Sequence, residues 1–198
     1  MDNRKEYYES YADEWDKMFT AEDFEILSFL IDSFNIKPGS KIVDLGCGTG
    51  ILFDLLRRKV TKDGTIIGVD FCPKMSNKAR QNFPFETISV VNADVEKLPL
   101  KEGIFDTAIS FAAFAHFTDP RRVMLEVSRV LKTGGSFHII HLYGSKELEE
   151  YHQRTGGPVA DDHLPSHDDM MALFEHGNFE NAKINDHPGL YLASAFKK

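Results

Sequence analysis

The stretch IVDLGCGTG at residues 42–50 decides the fold class. Its apolar run with one acid is typical of a strand buried on both faces, and glycine follows at positions 46, 48 and 50. Glycine lacks a Cβ, so it adopts positive φ angles and allows a ligand to lie close to the backbone. Helix-forming residues follow at 51–56. A strand, a glycine turn and a helix N-terminus direct unpaired N–H groups outward, which predicts a site for a nucleoside-bearing cofactor.

Length and composition indicate one packed domain of 198 residues, with 42% hydrophobic residues and 16 Phe. The formal net charge of −8 argues against broad, charge-driven binding of nucleic acid. No apolar run approaches the roughly 20 residues of a membrane span, and the N-terminus has no apolar signal core. The two cysteines, Cys47 and Cys72, lack metal-site spacing. We therefore expect a soluble, cytoplasmic protein with reduced thiols, whose oligomeric state the sequence leaves open.

Strand and helix patterns alternate, which predicts an α/β fold with a parallel sheet and helices on both faces. The predicted strands are 41–45, 65–69, 87–91, 105–111 and 136–141, and the helices are 50–60, 73–82, 120–131 and 166–176. Two final strands, near 180–186 and 190–196, are separated by three residues. A connection that short joins antiparallel strands. The expected sheet is therefore seven-stranded and mostly parallel, with one antiparallel strand.

Two segments fall outside this predicted sheet. Residues 1–35 have a helical pattern and many aromatic side chains, whereas residues 143–165 are polar and loop-like. Ligands of open α/β folds bind at the carboxyl ends of the strands. We expect a single domain, 1–198, in which 1–35 forms a helical lid and 143–165 forms a substrate cap.

The run Asp44-Leu45-Gly46-Cys47-Gly48-Thr49-Gly50 resembles the first motif of class I S-adenosylmethionine-dependent methyltransferases. Further landmarks of that family follow in order: Gly68-Val69-Asp70, Asn92-Ala93-Asp94-Val95 with Leu98-Pro99, Phe105-Asp106, and Leu131–Gly135. The resemblance covers residues 36–140 well and 166–198 more loosely. It is closest to the small-molecule branch that includes the ubiquinone and menaquinone biosynthesis enzymes. It implies a Rossmann-like fold, S-adenosyl-L-methionine as cofactor, a small-molecule methyl acceptor and transfer by in-line displacement.

The resemblance also implies which residues bind the cofactor. Asp44 and residues 46–50 would line its methionine and ribose, Asp70 would bind the ribose, and Asp94 with Val95 would hold the adenine edge. Phe71 would flank the adenine, although ordinary core packing explains it equally well. Ser110 would approach the amino-acid end. The full set is Asp44, Gly46, Cys47, Gly48, Thr49, Gly50, Asp70, Phe71, Asp94, Val95 and Ser110.

Two side chains are candidates for the catalytic step. His116 follows the fourth predicted strand, where an acceptor would enter, so it is a candidate base, with packing as the alternative. The family's N-terminal helix often places a tyrosine near the donor carboxylate, which makes Tyr11 the candidate here. Tyr7, Tyr11 and Trp15 recur every four residues, as a packed helix face does, and we expect packing for Trp15.

Histidines are concentrated in the last third of the chain. His141, at the end of the fifth predicted strand, and His152, in the polar segment, are expected to contact the acceptor. A metal site would have to be assembled from several segments, for example from His141, His152 and Asp162. That set is unspecific, and no metal is predicted.

Two alternative functions stay open from the sequence. A protein that senses or sequesters the cofactor would carry the same motifs, because methyl transfer requires no obligatory catalytic residue. An NAD-dependent oxidoreductase would share Asp70, which lies 20 residues after Gly50. Its loop would follow G-x-G-x-x-G rather than the G-x-G-x-G found here, so this alternative is the weaker one.

Overall fold

The computed structural model describes residues 3–198, and one seven-stranded sheet is its central feature. The strands are β1 (Lys41–Leu45), β2 (Thr65–Asp70), β3 (Ile88–Asn92), β4 (Phe105–Phe111), β5 (Leu131–His141), β6 (Phe179–His187) and β7 (Leu190–Lys197). Their spatial order is β3-β2-β1-β4-β5-β7-β6, and β7 runs antiparallel to both of its neighbours. The predicted Rossmann-like, mostly parallel sheet with one antiparallel strand is confirmed.

Seven α-helices accompany the sheet within the described residues. They are α1 (Asn3–Tyr11), α2 (Ala21–Ser33), α3 (Phe53–Val60), α4 (Pro73–Asn82), α5 (Pro120–Val130), α6 (Ser145–Thr155) and α7 (His167–His176). Helix α5 begins as predicted, because the Asp119 side chain accepts the Arg122 N–H at 3.1 Å. Helix α3 begins three residues later than predicted, since the positive φ angles at Gly46, Gly48 and Gly50 keep the preceding chain in a turn.

The polar segment 143–165 is not a loop, and that expectation was wrong. Helix α6 occupies its first half, and the backbone N–H of Gly144 donates to the Glu147 carboxylate at 2.9 Å across the helix N-terminus. Leu148 and His152, four residues apart, are its buried side chains. Two buried positions give too weak an apolar stripe for the sequence to reveal the helix.

The N-terminal 35 residues divide into two parts with different surroundings. Helix α2 packs into the layer that covers the sheet, where Leu27, Leu30 and Ile31 are buried together with Ile42 of β1. Residues 3–18, by contrast, lie at the carboxyl ends of the strands and include α1 and a 3-10 turn at Trp15–Met18. Residues 1 and 2 lie outside the described residues. Within residues 3–198, none of the helices has the length and apolar character required to cross a membrane.

A buried histidine lies between the sheet and its helical layer. The His138 ring stacks on Phe34 with 3.7 Å between ring centroids, and its Nδ1 is 2.8 Å from the Ser194 hydroxyl. Burial lowers the pKa of His138 from 6.5 to about 3, so the ring is neutral in the folded protein. The unfolded chain binds a proton at higher pH than the folded chain does. Stability contributed by neutral His138 is therefore present above pH 6.5 and lost as pH falls toward 3.

We expect His138→Gln to flatten the pH dependence of folding on the acid side. The variant would take up one proton fewer on unfolding. The slope of the unfolding free energy against pH is therefore reduced by about 1.4 kcal/mol per pH unit between roughly pH 4 and 6. Urea unfolding at several pH values measures this slope. Exposed His163→Gln is the matched control and should leave it unchanged. Equal slopes for wild type and His138→Gln would contradict the conclusion that His138 is neutral in the folded protein.

Candidate active site

The glycine turn after β1 packs directly against the chain that follows β4. Gly46 has a φ of +71°, and a Cβ built on it would lie 2.4 Å from the Cβ of Ala113. Ala112, just before this contact, has a φ of +51°, which is unfavourable for a residue with a side chain. Strained backbone of this kind occurs mainly at functional sites.

Asp70 ends β2 beside this turn and is buried. Its carboxylate accepts the N–H of Gly48 at 2.9 Å and the N–H of Cys72 at 2.8 Å, one on each oxygen. Burial raises its pKa to about 6, and the two backbone bonds act in the opposite direction. Since each carboxylate oxygen has a further lone pair, Asp70 retains the capacity to accept hydrogen bonds from a diol.

Asp44, in β1, is a buried carboxyl group with an unmet hydrogen-bonding requirement. Its Oδ1 has no partner within the described residues, and burial, with a contribution from Asp70, raises its pKa to about 8. It borders a narrow recess that Trp15, Cys47 and Phe111 also line. A buried carboxylate oxygen without a donor is costly, so the recess suits a ligand that brings a cationic donor.

A cleft of about 770 Å³, counted with its open mouth, lies at the carboxyl ends of β1, β2 and β4. Predicted site residues that line the cleft are Gly46, Gly48, Asp70, Phe71, Asp94, Val95 and His116. The structure therefore brings residues from four separate motifs to one cavity.

The remaining predicted cofactor residues lie beside the cleft. Cys47 and Asp44 border the recess, while Thr49 is buried and donates its hydroxyl hydrogen bond to Asp16. Gly50 forms the end of the turn, with a φ of +94°. Ser110 is fully buried in β4, and its hydroxyl has no partner within residues 3–198.

The adenine-side candidates differ in their exposure. Phe71 is 38% exposed and contacts the edge of Tyr8, so its ring lies at the cleft and not within the core. Asp94 is exposed and accepts the Glu96 N–H at 2.9 Å, which caps a short 3-10 turn. Val95 is buried at the cleft wall.

Aromatic side chains of residues 3–18 line the cleft, although not in the predicted pattern. Helix α1 ends at Tyr11, so the four-residue repeat does not continue to Trp15 on one helix, and Tyr8 with Ala12 forms the buried face. Tyr11 is 40% exposed and packs against Tyr7. Trp15 packs against the buried cluster that contains Tyr8 and Ala12, as expected, and it also borders both the cleft and the recess.

The candidate histidines form a cluster beside the cleft. His116 lines the cleft, and its Nδ1 is 2.7 Å from the Asp162 carboxylate. The rings of His116 and His152 are 4.9 Å apart, and buried His141 lies close enough to interact electrostatically with both. Within residues 3–198, no group of three or more His, Cys, Asp or Glu side chains is arranged to hold a metal ion.

The comparisons with known proteins agree with this geometry. Residues 43–139 match the family model described as "Methyltransferase domain". The ubiquinone/menaquinone biosynthesis C-methyltransferase UbiE of Wigglesworthia glossinidia brevipalpis is 32% identical over 128 residues, which cover 63% of this chain and 50% of that protein. The 2-phytyl-1,4-naphtoquinone methyltransferase of Nostoc sp. is 36% identical over 111 residues, covering 54% of this chain and 48% of that protein.

The chain spans about half the length, or less, of the curated relatives it matches. Among solved structures, the methyltransferase in a Haloferax volcanii complex with the Trm112 activator superposes with a TM-score of 0.81 at 22% identity, over 96% of both chains. A SAM-dependent methyltransferase from Aquifex aeolicus gives a TM-score of 0.71 at 20% identity, covering 93% of this chain and 96% of that one. These similarities show a shared fold.

The sequence matches extend from β1 to β5 and contain the glycine turn, Asp70 and Asp94. These elements carry the cleft and its buried carboxyl groups. The chain accordingly belongs to the class I S-adenosylmethionine-dependent methyltransferases, a family whose cofactor is S-adenosyl-L-methionine.

Proposed function

We propose that this protein transfers a methyl group from S-adenosyl-L-methionine to a small-molecule acceptor by in-line displacement. The observation that carries the proposal is a single cleft lined by Asp70, by the glycine turn and by His116. A site for the cofactor alone would not need an additional imidazole on its wall. Cavities with a few convergent polar groups are typical of enzyme active sites.

The buried carboxyl groups suit the polar parts of the cofactor. Asp70 would accept hydrogen bonds from the ribose hydroxyls, and Phe71, Asp94 and Val95 would contact the adenine. Asp44, with its unpartnered oxygen, would pair with the ammonium group of the methionine moiety. The bare backbone at Gly46 and Gly48 supplies the close approach that this placement requires.

The bound cofactor supplies an activated methyl group on a sulfonium. The protein then has to align the acceptor with that methyl and exclude water. We propose that residues 3–18 act as the lid. They are fastened by ion pairs from Asp13 to Lys74 and Lys78, each 2.8 Å, and by the hydrogen bond between Thr49 and Asp16. We assign acceptor specificity to the segment 143–165 and a cytoplasmic location to the protein.

Calorimetry with S-adenosylhomocysteine and with NADH tests the cofactor assignment. Binding of S-adenosylhomocysteine without binding of NADH is expected, and the reverse would support the oxidoreductase alternative. Turnover is tested by following S-adenosylhomocysteine formation with quinols, phenols, amines, carboxylates and thiols. Tight binding with no turnover of any acceptor would favour the sensor alternative.

We expect Asp44→Asn to weaken S-adenosylhomocysteine binding and to alter its pH dependence. Because the pKa of Asp44 is about 8, the carboxyl group must lose a proton when it pairs with a cation at neutral pH. Wild-type binding should therefore release a proton, and the asparagine variant should release fewer. Calorimetry in two buffers of different ionisation enthalpy measures the proton count. Equal proton release by wild type and Asp44→Asn would contradict the pairing of Asp44 with the ammonium group of the cofactor.

A further inference from the structure

Asp162 connects three parts of the chain at the acceptor side of the cleft. One carboxylate oxygen is 2.7 Å from Nδ1 of His116, and the other is paired with the Arg4 guanidinium of α1. Its backbone carbonyl is 2.6 Å from Nδ1 of His152 in α6. Asp162 is only 6% exposed, so these contacts are protected from water.

These contacts fix the orientation and tautomer of His116. Burial alone would raise the pKa of Asp162, but its hydrogen bond with His116, together with the charge of Arg4, holds the pKa below its usual value. An ionised carboxylate only accepts hydrogen bonds, so Nδ1 of His116 carries the hydrogen. When the ring is neutral, its lone pair is on Nε2, which makes no hydrogen bond within residues 3–198.

The other groups around His116 do not compete for this lone pair. The Tyr8 ring meets the imidazole edge-on at 5.5 Å, and the His152 ring lies 4.9 Å away with its own Nδ1 engaged by the Asp162 carbonyl. Burial lowers the pKa of His141 to about 3, so that ring is neutral. Asp162, which is paired with Arg4, is the charged group in direct contact with His116.

We propose that His116 is the general base of the reaction, that Asp162 is its positioning residue, and that the acceptor is a phenol. The proposal rests on the function proposed above. A phenol suits the site because its hydroxyl is acidic enough for an imidazole to deprotonate, and because Tyr8 and Phe117 give this part of the cleft aromatic walls.

Nε2 of His116 takes the phenol proton, and the electron pair of the broken O–H bond remains on oxygen. The oxygen uses a pair to bond the methyl carbon while the carbon–sulfur bond breaks, with its electron pair left on sulfur. The products are a methyl ether, a neutral thioether and protonated His116, which returns its proton to water.

Two variants test the proposal, each with a matched control. His116→Gln removes the base and Asp162→Asn removes the orienting charge, whereas His176→Gln and Asp63→Asn make the same changes at exposed positions that do not line the cleft. We expect kcat with phenols to fall at least about 100-fold in His116→Gln and at least about tenfold in Asp162→Asn. Both controls should retain wild-type kcat. Binding of S-adenosylhomocysteine should be unchanged in all four variants.

The tautomer of His116 gives a readout that does not depend on turnover. In cofactor-free protein, ¹⁵N NMR should show His116 with Nδ1 protonated and Nε2 unprotonated. Asp162→Asn should shift this equilibrium, and Asp162→Glu should restore both the tautomer and a part of kcat. If Asp162→Asn does not fold, Asp162→Glu still tests the positioning role. Its kcat should lie between that of wild type and that of His116→Gln.

The outcomes separate this inference from the function on which it rests. Failure of wild-type protein to bind S-adenosylhomocysteine would overturn the proposed function. Binding with phenol turnover that is unaffected by His116→Gln or by Asp162→Asn would overturn the inference alone, as would turnover confined to thiols or carboxylates. An unchanged His116 tautomer in Asp162→Asn would remove the positioning role of Asp162.

Discussion

Asp70→Ala should weaken binding of S-adenosylhomocysteine by about 10- to 150-fold. A hydrogen bond to a charged group contributes about 1.5–3 kcal/mol, and each 1.4 kcal/mol corresponds to a factor of ten in affinity. The substitution removes the proposed acceptor for the ribose, and it also leaves the N–H groups of Gly48 and Cys72 without their carboxylate. The glycine turn would lose part of its order together with the ligand contact.

Calorimetry on the purified variant measures this effect, with Asp63→Ala as the control on an exposed turn. Asp70→Asn separates the two causes, because its carbonyl oxygen still accepts one of the two backbone bonds. An affinity equal to that of wild type in both Asp70 variants would remove Asp70 from the cofactor site. Circular dichroism on each variant shows that it is folded before its affinity is compared.

Gly46→Ala should both destabilise the protein and impair cofactor binding. The new Cβ would lie 2.4 Å from the Cβ of Ala113, so one of the two segments has to move. The φ of +71° adds about 1–2 kcal/mol, because an L-residue is strained in this region. The combined loss should exceed about 2 kcal/mol, which lowers the Tm by roughly 4–8 °C for a chain of this length.

Gly103→Ala is the matched control for this prediction. Gly103 has a similar φ of +63°, but a Cβ there would meet no atom within 4 Å. It should therefore show the conformational cost alone and retain wild-type affinity for S-adenosylhomocysteine. If the two variants lost the same amount of Tm, the close approach between Gly46 and Ala113 would not explain the destabilisation.

Sequence patterns predicted that the glycine turn and the two acids meet at one cavity, because their positions are set by local sequence. The turn at 46–50 and the acids Asp70 and Asp94 follow directly after predicted strands, and parallel strands bring such positions to one edge. Secondary structure and spacing therefore suffice to place them together. The assignments of individual residues to parts of the cofactor stay predictions.

The acceptor side could not be predicted in the same way. His116 and Asp162 are 46 positions apart, and Asp162 lies in a polar segment whose helix was not recognised. Their contact depends on how that segment folds back over the sheet, which no periodicity reveals. Tyr11 was the tyrosine chosen from the sequence, whereas Tyr8 lines the cleft. Tertiary contacts decide which face of α1 packs inward, and no sequence pattern of this helix reveals that face.

The cleft has two halves of different origin, and this division bears on how such a protein diversifies. Strand ends of the sheet and the glycine turn line one part of the cleft, whereas peripheral chain at residues 3–18 and 112–118 lines the rest. Variation at the partly exposed, cleft-lining positions of these segments would alter the shape presented to new compounds and leave buried core residues such as Phe114 unchanged. A combinatorial library restricted to them should yield altered selectivity among clones that still fold, which makes this scaffold a practical starting point for tailoring methylation catalysts.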